Sequence, residues 1–409
     1  MSSFIRRSVS VLPVLAGACA AILAAVPAQA AGSWSSPITL PAAAGFSENP
    51  SGAQLVVTGT GPAVSSSANG LTWSAPVAVS QGGTGAVTSL APGGQAVAAW
   101  IGGTASAPVI QASVQPPGGS WSAPVTVGSN AASAPLIGTD AAGDAVIAWK
   151  GAATGTGPTG PVYAARLPAG GSWTAPVTLT TTGGPIQMAV NPAGAVVITW
   201  GAVAHAAWAD SGTIRGGFTA PVMVGPSSYG HTDSQPQVAL NSAGQAVVAW
   251  SGAANGLAAT RTASGTWSGP QDVNCTDAFS AAIDGAGDAV VTCEEAVLNA
   301  QGQYVTSYYA SRLPAGSATW TPALLTGDFL SEGLRSAADT AGTFVIADFD
   351  ATVHSLVTFT SPPGAGFGPA VLVGDATSAA ASLNLTVPGH ATLVWTSSAG
   401  AFESTEPVS

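Results

Sequence analysis

Fourteen of the nineteen acidic residues fall from Asp272 onward. Glu294 and Glu295 are adjacent, Asp348 and Asp350 lie two apart, and Asp328, Glu332 and Arg335 share one short segment; Asn274 and Asp277 open the region. Paired carboxyls suit glycoside hydrolysis, which needs one protonated acid and one base or nucleophile across the bond. Several carboxylates with carbonyls suit Ca2+. No contiguous 12-residue calcium loop is present, so ligands for a cation would come from separate loops. A solvated acidic face is the third meaning of the cluster. One further polar loop, GPSSYGHTDSQP, carries Tyr229, His231 and Asp233. Together Tyr229, His231, Asp233, Glu294, Glu295, Asp328, Glu332, Arg335, Asp348 and Asp350 form the candidate ligand-binding set, and no residue is assigned a catalytic role. His205, His231, His354 and His390 have no paired metal-ligand spacing, and no GxSxG elbow or phosphate-cradling loop occurs.

Such residues need a scaffold, and two interleaved repeats describe it. The first reads aromatic–Ser/Thr–x–Pro–Val–x–Val/Leu and begins at Trp34, Trp73, Trp121, Trp173, Phe218, Trp267, Trp320 and Phe367. The second reads, with variations, Asp/Asn–x–x–Gly–x–Ala–Val–Val–x–Trp, with glycines at 52, 94, 143, 194, 244, 287, 342 and 389. A period of roughly 40–50 residues marks stacked or radial units. The Asp or Asn caps its own turn and the glycine takes a positive φ, which predicts a strand, a tight turn and a strand. In residues 235–273, PQVALN, QAVVAW, GLAATRTA and TWSGPQDV read as four strands, the last an edge strand because proline cannot donate to a ladder.

Four strands per repeat predict an all-β fold, a β-propeller of eight four-stranded blades, with seven as the alternative. GSWSSPITL is a lone outer strand and residues 379–405 supply three more, so the N-terminal strand is expected to complete the last blade. The repeated aromatics are expected between blades, each burying about 2–3 kcal/mol of apolar surface.

Arg6 and Arg7, an apolar run from Val11 to Val26, and Ala28–Gln29–Ala30 read as a signal peptide over residues 1–30, with the propeller over 31–409. Without that leader the chain has 6 basic and 19 acidic residues, a formal charge of −13. That balance argues against nucleic acid, which needs a basic footprint. No later stretch is apolar enough for a membrane span. Cys275 and Cys293 remain, and an exported chain meets oxidising conditions, so a disulfide between them is expected.

The repeat resembles that of exported bacterial propellers of the sialidase-type, Asp-box form. The nearest Asp box is SSANGLTW, where Ser66, Gly70, Thr72 and Trp73 fit and Ala68 stands in place of Asp. The resemblance implies an arginine triad clamping a carboxylate, a tyrosine nucleophile with a glutamate, and an acid–base aspartate. The chain departs from that pattern. Arg166, Arg261 and Arg312 recur just before Trp173, Trp267 and Trp320, away from the expected ligand face, leaving Arg335 and Lys150 near it. The expectation is a secreted, non-catalytic, monomeric propeller binding an extracellular glycan or protein, without a required cofactor though with Ca2+ as a candidate ion. A sialidase-like glycoside hydrolase and a structural envelope protein are the alternatives.

Overall fold

A computed structural model of the chain describes residues 33–41, 45–58, 60–153, 159–202, 206–226, 235–252, 255–298, 304–326, 333–378 and 382–408. Among these residues the regular elements are β-strands, with no helix. The strands form six four-stranded sheets and one of eight strands. The large sheet is two successive quartets sharing the long strand Val177–Val190, whose first half pairs with Gly160–Leu167 and whose second pairs with Ala195–Ala202.

The second strand of each unit explains the apolar runs. In Ala246–Ser251, Val247 and Ala249 pack toward the following blade, while Ala246, Val248 and Trp250 pack toward the preceding one. Both faces are buried, so the sequence shows a continuous apolar run rather than alternation. Trp100, Trp149, Trp200, Trp250 and Trp395 hold one equivalent position and are fully buried. Their indole N–H groups need acceptors there. Trp149 donates to the Ser129 carbonyl at 3.2 Å, Trp250 to that of Pro226 at 2.7 Å, and Trp395 to that of Asp375 at 3.0 Å. Each acceptor lies at the end of the preceding blade's outer strand, so the tryptophan both fills and ties the inter-blade space.

Most turns after the inner strands are closed by their own Asp or Asn, those after Thr84–Leu90 and Ser382–Asn384 being the exceptions. Asn241 Oδ1 accepts from the Ala243 and Gln245 amides at 3.1 and 2.9 Å, and Gly244 takes φ +82°. The asparagine does a second job that the turn motif alone does not reveal: Asn241 Nδ2 donates to the Asp284 carbonyl of the next blade at 2.8 Å.

One strand boundary differs from the sequence expectation. The outer strand of the unit at 235–273 is Gln271–Asp272 and starts after Pro270, not at Trp267. The motif hydroxyl takes over pairing in the interval. The Ser268 amide donates to the Thr260 carbonyl at 2.8 Å, and Ser268 Oγ accepts from the Thr260 amide at 3.0 Å. Ser122 with Val114 and Thr174 with Arg166 repeat this arrangement. Proline withholds a donor from the ladder, and the Ser/Thr two residues earlier keeps the segment paired by donating through its amide and accepting through its hydroxyl.

The ring closes through both chain ends. Ile38–Leu40 pairs with Gly400–Pro407, and that sheet continues through His390–Ser397 to Ser382–Asn384. Leu40, Val394 and Ala401 of this closing blade pack against Val56 and Phe46 of the first blade, built on Gly45–Glu48 and Gln54–Val57.

Candidate functional site

The tight turns after the inner strands, most of them Asx turns, define a turn face; the opposite ends of the strands define a loop face. Asp277 begins the inner strand Asp277–Ile283 at the loop face and stands in register opposite Glu294. Glu294 is half-buried, and its carboxyl is pushed up by burial first and by the adjacent Asp277 second. Thr276 donates to the Glu294 carbonyl through its amide at 2.8 Å and through its hydroxyl, so the main chain here is held. Glu295 follows opposite Ser307, on the other side of the sheet.

The next blade supplies the cation. Ser280 Oγ donates to Ser336 Oγ at 2.9 Å, which fixes the two inner strands against each other. Arg335 immediately precedes Ser336, is exposed, and lies opposite Ala347, the neighbour of Asp348. Asp277, Glu294, Arg335 and Asp348 therefore share one end of two adjoining blades. Asp348 sits where other blades carry tryptophan and is 1% exposed, as is Asp350. Asp350 Oδ1 accepts from the Thr352 amide at 2.8 Å and closes the short turn in which His354 takes φ +52°. Tyr229, His231, Asp233, Asp328 and Glu332 lie outside the described residues.

Arginine is used on the turn face. Arg166 Nη1 donates to the carbonyls of Ile214 and Arg215 in the next blade at 3.0 and 3.1 Å. Arg215 pairs with Asp144, whose carboxyl is held below its ordinary value by that contact. Arg312 pairs with Asp288 at 2.8 Å and donates to the Ala365 carbonyl of the next blade at 2.8 Å. Arg261 donates to the Gly244 carbonyl at 2.9 Å. These contacts join hairpins and turns, and they do not converge on one point.

Cys275 and Cys293 are joined by a disulfide with Cα atoms 6.0 Å apart. Cys275 lies just before the inner strand, and Cys293 takes the tryptophan position. In the Asp-box-like segment Asn69, one residue after Ala68, supplies the cap: its Oδ1 accepts from the Leu71 and Thr72 amides at 3.0 and 3.3 Å.

A cavity of about 880 Å3 runs along the ring's axis toward the turn face, lined by Glu48, Ser89, Thr139, Met188, Val238 and Ser336 among others. A second, of about 310 Å3, lies beside Phe46, Val87, Leu136 and Ser382. Neither is lined by Glu294 or Arg335. Among the described residues no group of three or more His, Cys, Asp or Glu is placed to hold a metal ion. No helix among them is long and apolar enough to cross a membrane.

The segment AFESTEPVS contributes no residue to the candidate set. Its Glu403 and Glu406 are each 1% exposed, within the strand Gly400–Pro407. Two glutamates three apart in an otherwise small and apolar strand are the signal that marks them.

No protein-family model matches the chain. No curated protein matches it either. Solved structures do. The Dos1 propeller aligns over 92% of this chain and 95% of its own, at 10% identity and a TM-score of 0.57. An ulvan lyase, a polysaccharide lyase, aligns over 91% and 93% at 10% identity and a TM-score of 0.52. The similarity, with the closed ring of four-stranded antiparallel sheets, shows a β-propeller.

Proposed function

We propose that the protein is an exported, non-catalytic β-propeller that binds carbohydrate at the loop face of its ring. The observation that carries this reading is the rim formed by Asp277, Glu294 and Arg335 on two adjoining blades. Carboxylates and a planar guanidinium are suited to the hydroxyl and carboxylate groups of a glycan. Placed on rigid strand ends, they lose little entropy on binding. The disulfide fits an oxidising compartment, in keeping with removal of a leader near Ala30. A protein ligand outside the cell would use the same rim, and Ca2+ is a candidate bridging ion between its carboxylates and a sugar.

A sialidase-like hydrolase is the second reading, favoured by one observation: Glu294 is pushed toward its protonated form beside Asp277. The turn-face use of Arg166, Arg215, Arg261 and Arg312 weighs against the arginine triad such an enzyme would need.

A glycan array with the purified protein, with and without Ca2+, tests the proposal. Saturable, selective binding lost in Arg335→Ala and without turnover supports it; turnover lost in Glu294→Gln would favour the hydrolase. A blank array overturns carbohydrate binding.

A further inference from the structure

The closing blade carries two buried glutamates at its interfaces, Glu403 and Glu406. Glu403 stands in register opposite Ile38 of the closing strand. Its side chain turns away from that strand's partner ladder into the seam with the first blade, where Gln54 Nε2 donates to it. The same Nε2 donates to Glu48 Oε1 at 3.0 Å. One neutral amide thus bridges two carboxyl groups, with Gln54 3% and Glu403 1% exposed. The second oxygens of both glutamates, Glu48 Oε2 and Glu403 Oε2, are buried without a hydrogen-bond partner. On the other side of the blade Glu406, also 1% exposed, has only Thr360 Oγ1 of the preceding blade at 3.5 Å.

The groups facing these acids are few. Glu48 faces Thr392 and, at longer range, His390, both of the strand His390–Ser397. Glu403 faces Gln54 and the like charge of Glu48. Ile38–Leu40 and Gln54–Val57 bring no ionisable side chain, and Ser355–Ser361 brings Thr360 alone. No lysine or arginine is among these partners. Two carboxylates about one amide apart, Glu403 buried and Glu48 half-buried, repel, and a buried carboxylate without a cation loses most of its hydration. Elsewhere Asp140 and Asp284 cap turns and Asp144 and Asp288 pair with arginine, while Asp210 and Asp348 are buried as well, one in each of two other blades.

We propose that the closing blade is a proton-held clasp: it is seated while Glu403 and Glu406 carry protons, and their ionisation loosens the closing strand and the seam. Burial, acting first, raises both carboxyls from 4.5 to about 7, and Glu48 adds to the rise at Glu403. An acid whose value is raised by folding stabilises the folded form below its unfolded value. That contribution is lost as pH rises through the folded value. The window is therefore about pH 4.5 to 7, and the loss concerns one blade rather than the whole ring.

Hydrogen exchange followed by mass spectrometry, corrected for intrinsic exchange, tests this on the purified protein at about pH 5.5 and 8.5. Peptides over Ile38–Leu40 and Gly400–Pro407 are expected to lose about tenfold or more in protection, the factor equivalent to one pKa unit. Peptides over Ala145–Lys150 and Ala246–Ser251 serve as the reference and are expected to change less. In Glu403→Gln/Glu406→Gln the extra loss disappears. Closing-blade peptides that track the reference in the native protein overturn the proposal. So does an unchanged pH response in the double variant. If that variant does not fold, Glu48→Gln, which removes the like charge facing Glu403, is expected to reduce the response, and an undiminished response there overturns the proposal equally.

Discussion

Asn191 donates through Nδ2 to the main-chain carbonyl of Asn241, 2.9 Å away, and Asn241 repeats the contact to Asp284 at 2.8 Å. Each asparagine thus caps its own hairpin with Oδ1 and grips the next blade with Nδ2. Asp140 shares the cap but has no amide to donate. There the link is made by main chain, the Ala141 amide donating to the Pro192 carbonyl at 2.9 Å.

Asn241→Asp is expected to keep the turn and lose the inter-blade grip. It leaves the buried Asp284 carbonyl without that donor, at a cost of about 1–2 kcal/mol. Asn241→Ala removes the cap as well and is expected to cost more. Urea denaturation midpoints of the two variants against the parent measure the difference; equal effects would refute the two-job reading.

Trp250→Phe retains much of the packing and removes the donor to Pro226, and is expected to cost roughly 1–2 kcal/mol. Trp250→Ala is expected to cost about 3–5 kcal/mol, because it opens a cavity between two blades. Thermal denaturation of both variants checks the order.

The cystine spans 18 residues. In the chain-entropy model its reduction is expected to lower stability by about 3 kcal/mol. Melting with and without reductant measures it, with Cys275→Ala/Cys293→Ala as control. Free-thiol labelling of both cysteines in the native protein would overturn the assignment.

Beyond the local loosening of the closing blade, global stability is expected to fall as pH rises from about 4 to 7. Glu403 and Glu406 are raised to about 7 and Asp210 to about 6, each by burial first. Groups raised this way favour the folded form at low pH and lose that contribution as they ionise. Asp144, lowered chiefly by its hydrogen bond from Arg215, acts with the opposite sign and is lost as pH falls through its folded value. A maximum on the acid side of neutrality follows, measured as denaturation midpoint against pH; a maximum above pH 8 would contradict it.

A Ca2+ role at the loop face predicts a higher melting temperature in excess Ca2+ than in chelator, reduced in Glu294→Gln. Identical melting in both conditions would remove calcium from the proposal.

The sequence by itself determined the repeat and the strand–turn–strand hairpins, because each rests on local chemistry, and the count of strands at the two ends pointed to closure by an N-terminal strand. The glycines of the Asx motif must take positive φ, and they do so at Gly52, Gly143, Gly244 and Gly342 alike. An apolar run between two turns must be buried on both faces, as Ala246–Ser251 is. The pairing of Cys275 with Cys293 followed from where a hairpin brings its ends. Only the tertiary structure decided which acids face solvent and which are sealed in. Asp348 and Glu403 are as acidic in sequence as Glu294, yet both are buried between blades while Glu294 is half-exposed at the rim. A side chain's face in a strand follows from register, and its burial depends on a neighbouring blade some 40–50 residues or an entire ring away. Gln54 and Glu403, 349 residues apart, meet because the ring closes, and no local pattern encodes that contact.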